Sequence, residues 1–204
     1  MNNIILDGKP VTPSKVVCIG RNYVEHIREL NNAIPEQPVI FVKPNSAVCS
    51  DLCTVENTLV HYEAELSFVI QAGEIVAVGF SLDLTKRGLQ EKLKAQGLPW
   101  ERAKAFDKSA VFSEFVAFSG KLEALSLQLF INNQLTQEGS VDLMIYKPQK
   151  IIAEVSAFMS FADGDILMTG TPKGVGEIHP GDFFVGRIYD GKQLLIEQQW
   201  YVQP

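Results

Sequence analysis

Apolar and polar positions alternate with a period of two over much of the chain, which predicts strands more often than helices. The β-branched run Ser14–Gly20, SKVVCIG, predicts a strand that feeds the loop Arg21, Asn22, Tyr23. Val39–Lys43 predicts a second strand, closed by Pro44 and Asn45. In Leu59–Gln71, LVHYEAELSFVIQ, the residues His61, Glu63 and Glu65 alternate with Tyr62, Ala64 and Leu66, which predicts one unbroken strand. Gly73 and Glu74 break it, and Ile75–Leu84 returns as its neighbour. Further strands are expected over Ala110–Phe118, Leu125–Ile131 and Ile166–Thr169, with Asn132 and Asn133 as a hairpin turn.

Helical spacing occurs in three places. Tyr23–Asn31 puts Val24, Ile27 and Leu30 on one face, and Pro35 and Pro38 end any continuation. His26 and Glu29, three apart, are neighbours on the adjoining face. Lys86–Gln96 has helix-forming composition with Gly97 and Pro99 as its stop, and Ile151–Phe161 places Ile152, Val155, Phe158 and Met159 at helical intervals. The pattern predicts an α+β, β-rich fold with a few short helices. No repeat or linker interrupts it, so a single domain over 1–204 is expected, in keeping with ~150 residues per domain.

Composition narrows the class. With 46% hydrophobic and 21% charged residues the chain can bury a core, and no apolar run nears the roughly 20 residues of a membrane helix. Residues 1–10 carry Asp7 and Lys9 and lack the features of a secretory signal, so the cytoplasm is the expected compartment. The 18 basic residues are scattered against 24 acidic ones, which leaves no basic face for nucleic acid. Cys18, Cys49 and Cys53 cannot form a fully paired disulfide set, and Cys49 and Cys53 lack the two-residue gap of zinc motifs.

Glu63 and Glu65, two apart on one strand, project their carboxylates to the same side. Two adjacent anions repel unless water, Lys/Arg or a cation offsets them. Asp83, on the returning strand, would add a third oxygen ligand, and three carboxylates without thiolates suit a hard cation such as Mg²⁺ or Mn²⁺. A solvated strand face shows the same alternation, so spacing alone leaves both readings open. His179, within IHPGD, reads as a turn residue.

Six segments in order, VVCIGRNYVEH running into HIRE, then FVKP, VHYEAEL, LDLTKRGLQ, GLPWERAKAFD and LMTGTPKGVG, together resemble the signature of the fumarylacetoacetate hydrolase family. The resemblance runs from about Val16 to Gly186 and is greatest to the short acylpyruvase and oxaloacetate decarboxylase branch. It implies a fold of small mixed sheets, a homodimer, and one Mg²⁺ or Mn²⁺ ion held by Glu63, Glu65 and Asp83. It further implies that His26 and Glu29 orient and deprotonate an attacking water, and that Lys104 helps hold or polarise the substrate. Arg21 and Asn22 by their loop, Arg87, Gln90 and Thr171 are the implied substrate contacts, and His61 has no implied ligand role.

The implied substrate is a small 2-oxo or 2,4-dioxo acid. The leading expectation is C–C hydrolysis of an acylpyruvate, such as acetylpyruvate or fumarylpyruvate, to pyruvate and a carboxylic acid. Oxaloacetate decarboxylation or keto–enol tautomerisation at the same site is the alternative, and a binding module without turnover is a remote one. The chain departs from the family in its short 71–80 connection, in Gly88 where an Asp is usual, and in lacking a proline near Val111.

Overall fold

The computed structural model describes residues 1–204. The chain opens with a small hairpin, β1 (Ile4–Leu6) and β2 (Lys9–Val11), and then enters β3 (Lys15–Gly20), α1 (Val24–Glu29) and β4 (Val39–Pro44). A two-residue β5 (Val48–Cys49) precedes β6 (His61–Tyr62), β7 (Ala64–Gln71) and β8 (Glu74–Asp83). The helices α2 (Arg87–Ala95) and α3 (Glu101–Lys104) lead to β9 (Ala110–Phe112) and β10 (Val116–Ala117). The hairpin of β11 (Leu125–Ile131) and β12 (Gln134–Ser140) is followed by α4 (Pro148–Ser156), β13 (Ile166–Met168) and β14 (Gly176–Glu177). Two long strands, β15 (Phe183–Asp190) and β16 (Gln193–Tyr201), close the chain.

Two sheets face each other. The larger runs β4-β3-β13-β7-β8-β9-β5, with β10 added on β8, and mixes parallel and antiparallel pairs. The smaller is the antiparallel order β12-β11-β15-β16. Alternation along β7 and β8 sends Leu66, Phe68, Phe80 and Leu82 toward the smaller sheet, where they meet Leu127, Leu129, Phe184, Ile188 and Trp200 in the largest core cluster. On the opposite side, α4 covers Val17, Ile19 and Leu167 with Ile151 and Val155. No helix is long and apolar enough to cross a membrane.

The mixed, strand-rich α+β architecture is the expected one. The 71–80 connection turns directly: Gln71 pairs with Glu74 across Ala72 and Gly73, both at positive φ. Asn132 and Asn133, at φ 50° and 65°, form the expected hairpin turn.

Three expectations need correction. The strand foreseen over 59–71 is broken at Glu63, because the Ala64 N–H donates to Gln137 Oε1 at 2.9 Å while His61 and Tyr62 pair with β14. The strand foreseen over 110–118 is broken at Ser113–Phe115, where Phe115 exchanges backbone hydrogen bonds with Ile5 and Asp7 of the first hairpin. The third helix starts at Pro148 and ends at Ser156, so Phe158 falls outside it and is exposed. Pro148 sits at the first turn, where its missing N–H costs nothing.

Candidate active site

The carboxylate cluster arises where β7 and β8 run side by side. Glu63 enters just before β7, Glu65 is its second residue, and Asp83 ends β8. The Asp83 N–H donates to the Glu63 carbonyl at 2.8 Å, which locks the two chains in register there. One oxygen from each of Glu63, Glu65 and Asp83 lies within 4.8 Å of the others, and all three residues are buried. The solvated-strand reading is thereby excluded.

Cations surround this cluster unevenly. Lys104 Nζ donates to Glu63 Oε2 at 2.8 Å, to Asp83 Oδ2 at 2.7 Å and to Thr85 Oγ1 at 2.6 Å, which commits all of its protons. Arg87 donates to Glu63 Oε1 and, at 2.6 Å, to Gln90 Oε1. Burial would raise the Glu63 carboxyl, but the Lys104 ammonium and the Arg87 guanidinium outweigh it and hold that group below the usual carboxylate range. Burial likewise works against the Lys104 charge, and Asp83 and Glu63 overcome it, so the ammonium is held above its ordinary value.

Glu65 has no cation of its own. Burial first, then Asp83 and Glu63, push its carboxyl well up, and the Gly170 N–H, at 2.7 Å from Oε2, with the more distant Lys104 charge, only partly opposes them. Gly170 sits at φ +94°, and a Cβ there would stand 2.8 Å from Asn22 Cβ, so only glycine presents this N–H.

Lys43 completes the arrangement, and its role was not read from the sequence. It is fully buried, and its ammonium donates to the Lys104 carbonyl and, at 3.0 Å, to both the carbonyl and hydroxyl of Ser109. Its Nζ is 2.8 Å from Asp83 Oδ1, yet that oxygen accepts no hydrogen bond. The two observations agree if the contact is charge attraction alone, since the N–H bonds of Lys43 point at other acceptors. A buried carboxylate oxygen without a donor, beside a Glu without a cation, is a donor set suited to a hard divalent ion. Glu63, Glu65 and Asp83 are therefore able to hold a metal ion.

A small cavity opens toward solvent beside Glu63 of the cluster, and its lining also includes Lys104, His26, Gln90, Arg87 and Thr171. His26 is buried, and its Nδ1 lies 3.1 Å from Glu29 Oε2. The second Glu29 oxygen accepts the Gly174 N–H at 2.9 Å. Gly174 too is at positive φ, +100°, and a Cβ would fall 2.2 Å from the Thr136 carbonyl. With Nδ1 facing Glu29, Nε2 is the imidazole nitrogen left for a ligand.

The remaining candidates separate into two groups. Arg21, Gln90 and Thr171 line the cavity, and Thr171 Oγ1 accepts from Gln137 Nε2 at 2.9 Å. The Asn22 side chain does not line it. Its amide donates to the Tyr146 and Thr169 carbonyls at 2.9 and 2.8 Å, and its Oδ1 accepts the Tyr146 N–H at 2.7 Å. Asn22 thus ties the Arg21 loop to β13 with its side-chain hydrogen bonds already used. Gln137, which supports both Ala64 and Thr171, was missed, and no local signal marks it.

The other histidines and the cysteines stay apart from the chemistry. His61 Nε2 is 3.8 Å from Glu177, and His179 is exposed in its turn. The three cysteines are free, and burial pushes the Cys49 thiol up to about 12, far from the thiolate a metal needs.

The model for the fumarylacetoacetate (FAA) hydrolase C-terminal family matches residues 15–197. The chain is 42% identical over 192 residues to oxaloacetate tautomerase YcgM of Escherichia coli, covering 83% of this chain and 85% of that protein. It is 34% identical to the mitochondrial oxaloacetate tautomerase FMP41 of Saccharomyces cerevisiae, covering 82% and 84% of the two chains. Fumarylpyruvate hydrolase from Pseudomonas aeruginosa, solved in complex with Mn²⁺ and pyruvate, superposes with a TM-score of 0.90 at 29% identity, over 99% of this chain and 95% of that one. The chain belongs to the fumarylacetoacetate hydrolase family.

Proposed function

We propose that the protein interconverts the keto and enol forms of a small 2-oxo acid, with oxaloacetate as the substrate. The observation that carries this reading is that the Glu29-backed imidazole of His26 and Glu63, one member of the buried three-carboxylate cluster, line the same cavity. Similarity to relatives named oxaloacetate tautomerase supports it over C–C hydrolysis of an acylpyruvate, which was the leading expectation.

In this reading Glu63, Glu65 and Asp83 hold one Mg²⁺ or Mn²⁺. When bound, the ion supplies a positive charge that stabilises the oxyanion of the enolised acid. In forming the enol, His26 Nε2 takes the proton from the carbon next to the ketone and passes it to the enolate oxygen, and the ketone forms by the reverse transfer. Glu29 keeps the ring oriented. Lys104, with its protons committed, is a positioning residue that keeps Glu63 ionised and holds it together with Asp83. Gln90 and Thr171 contact the substrate, and so does the Arg21 loop.

Hydrolysis remains the second reading because the same dyad could activate water and a fumarylpyruvate hydrolase shares the fold. The homodimer implied by the family resemblance is proposed with it. Purified protein given enol-oxaloacetate in the presence of Mg²⁺ should speed the loss of enol absorbance over buffer with Mg²⁺ alone. Rapid cleavage of acetylpyruvate or fumarylpyruvate with no effect on the enol would overturn the tautomerase reading.

A further inference from the structure

The cavity carries more positive charge than the catalytic reading uses. At its inner end Arg87 and Lys104 are spent on Glu63 and Asp83. Arg21 and Lys94, which line the same cavity, have no carboxylate within ion-pair distance. Arg21 holds the left-handed backbone conformation at φ +58°, an arrangement that is costly for a residue with a side chain and gathers at ligand-binding positions. Lys94, on α2, is fixed as its Nζ donates to Asn32 Oδ1 at 2.9 Å. That bond leaves other N–H groups of the ammonium free and orders the side chain without neutralising it.

We propose that Arg21 and Lys94 form a second anion subsite, which takes the distal carboxylate of a dicarboxylic 2-oxo acid whose 2-oxo acid end lies at the carboxylate cluster. The inference rests on the 2-oxo acid reading above and names the residues that select among such acids. Two unneutralised cations around one narrow cavity repel each other, and an anion placed between them relieves the repulsion. Burial first, then the Arg21 and Arg87 guanidiniums, hold the Lys94 ammonium below its ordinary range, and Glu91 only partly offsets them. The inner end would be satisfied by any 2-oxo acid. The outer end distinguishes a carboxylate from a methyl group, because a methyl would leave both cations facing apolar surface.

Oxaloacetate and 2-oxobutanoate test this cleanly, since they match up to the third carbon and differ in a carboxylate against a methyl. Binding of both to the Mg²⁺-loaded protein is measured by calorimetry for wild type, Lys94→Met, Lys94→Arg and Arg21→Asn, the last chosen because Asn tolerates the left-handed conformation. Wild type should bind oxaloacetate at least about tenfold more tightly. Lys94→Met should lose most of that preference with 2-oxobutanoate affinity unchanged, Arg21→Asn should lose most of it whatever its effect on 2-oxobutanoate, and Lys94→Arg should keep it. Unchanged 2-oxobutanoate binding by Lys94→Met reports that the variant is folded, and a retained thermal unfolding transition reports it for Arg21→Asn. Equal binding of the two acids by wild type, or a preference that survives both charge-removing variants, would overturn the subsite. Selective binding without enol turnover would keep the subsite and overturn the tautomerase reading, whereas turnover without selectivity would do the reverse.

Discussion

The Nδ1 of His26 lies 3.1 Å from Oε2 of Glu29, one helical turn along α1, while the other Glu29 oxygen accepts the Gly174 N–H. The carboxylate is thus fixed by the backbone on one side and orients the imidazole on the other. A base held this way should contribute about 10²–10⁴-fold. His26→Ala is expected to lower kcat for enol-oxaloacetate by that factor with little change in KM, and Glu29→Gln by a smaller one. Steady-state kinetics check both, and wild-type kcat in His26→Ala would remove the imidazole from the mechanism.

The carboxylate cluster predicts metal dependence. EDTA should abolish turnover, and Mg²⁺ or Mn²⁺ should restore it. Glu65→Gln is the sharper probe, because Glu65 has no cation of its own and its carboxylate is held by the Gly170 N–H. Loss of an outer contact to a metal ligand typically costs 10–100-fold in affinity, so removal of the ligand itself should cost at least about that much. Calorimetric titration with Mn²⁺ measures it directly. Unchanged Mn²⁺ affinity in Glu65→Gln would exclude this residue as a ligand.

Lys43 predicts a stability effect larger than its distance from the substrate suggests. Its ammonium is enclosed by the Lys104 and Ser109 carbonyls and by Asp83, all buried. Lys43→Met fills the space but leaves Asp83 with one fewer positive neighbour. Removing one member of a buried pair typically costs about 3–5 kcal/mol. Urea unfolding of the metal-free protein should show a loss of that size, together with weaker activity, since Lys43 also fixes the Lys104 backbone.

The sequence was most readable where structure is local. The hairpin at 132–133 follows from turn residues that accept positive φ, the break read at Gly73 and Glu74 falls one residue after the turn at Ala72 and Gly73, and β3, β4 and β11 follow from their apolar spacing. The breaks at Glu63 and Ser113 were not readable, because each is imposed by a partner distant in the chain, Gln137 in one case and the first hairpin in the other. The same holds for the site. Strand alternation puts Glu63 and Glu65 on one side without deciding between a wet face and a cation site, and the family motifs single them out with Asp83, whereas Lys43 and Lys94 look like ordinary lysines until the fold brings Asp83 and Arg21 beside them. Asn22 shows the converse, a loop polar residue whose side chain serves the backbone instead of the ligand.

Asp165 gives a prediction about acid stability that is independent of catalysis. It immediately precedes β13, and its buried carboxylate accepts from the Ser14 N–H at 2.9 Å, the Ser14 hydroxyl at 2.7 Å, the Ala162 N–H at 2.8 Å and the Lys15 ammonium. These bonds pin the start of β3 to the start of β13, a parallel pair inside the larger sheet. Burial would raise the carboxyl, but the hydrogen bonds from Lys15 and Ser14, with the backbone donors, outweigh it and hold the group below its ordinary value. A carboxyl whose pKa is lower folded than unfolded stabilises the fold at pH above the unfolded value, about 3.9, and loses that contribution as pH falls through the folded value. Wild type should therefore exceed Asp165→Asn in stability by a constant margin above about pH 5, and the margin should shrink as pH drops below about 4. Chemical denaturation of both proteins across that range measures the difference, and a margin that stayed constant into the acid would show that the Asp165 charge contributes nothing.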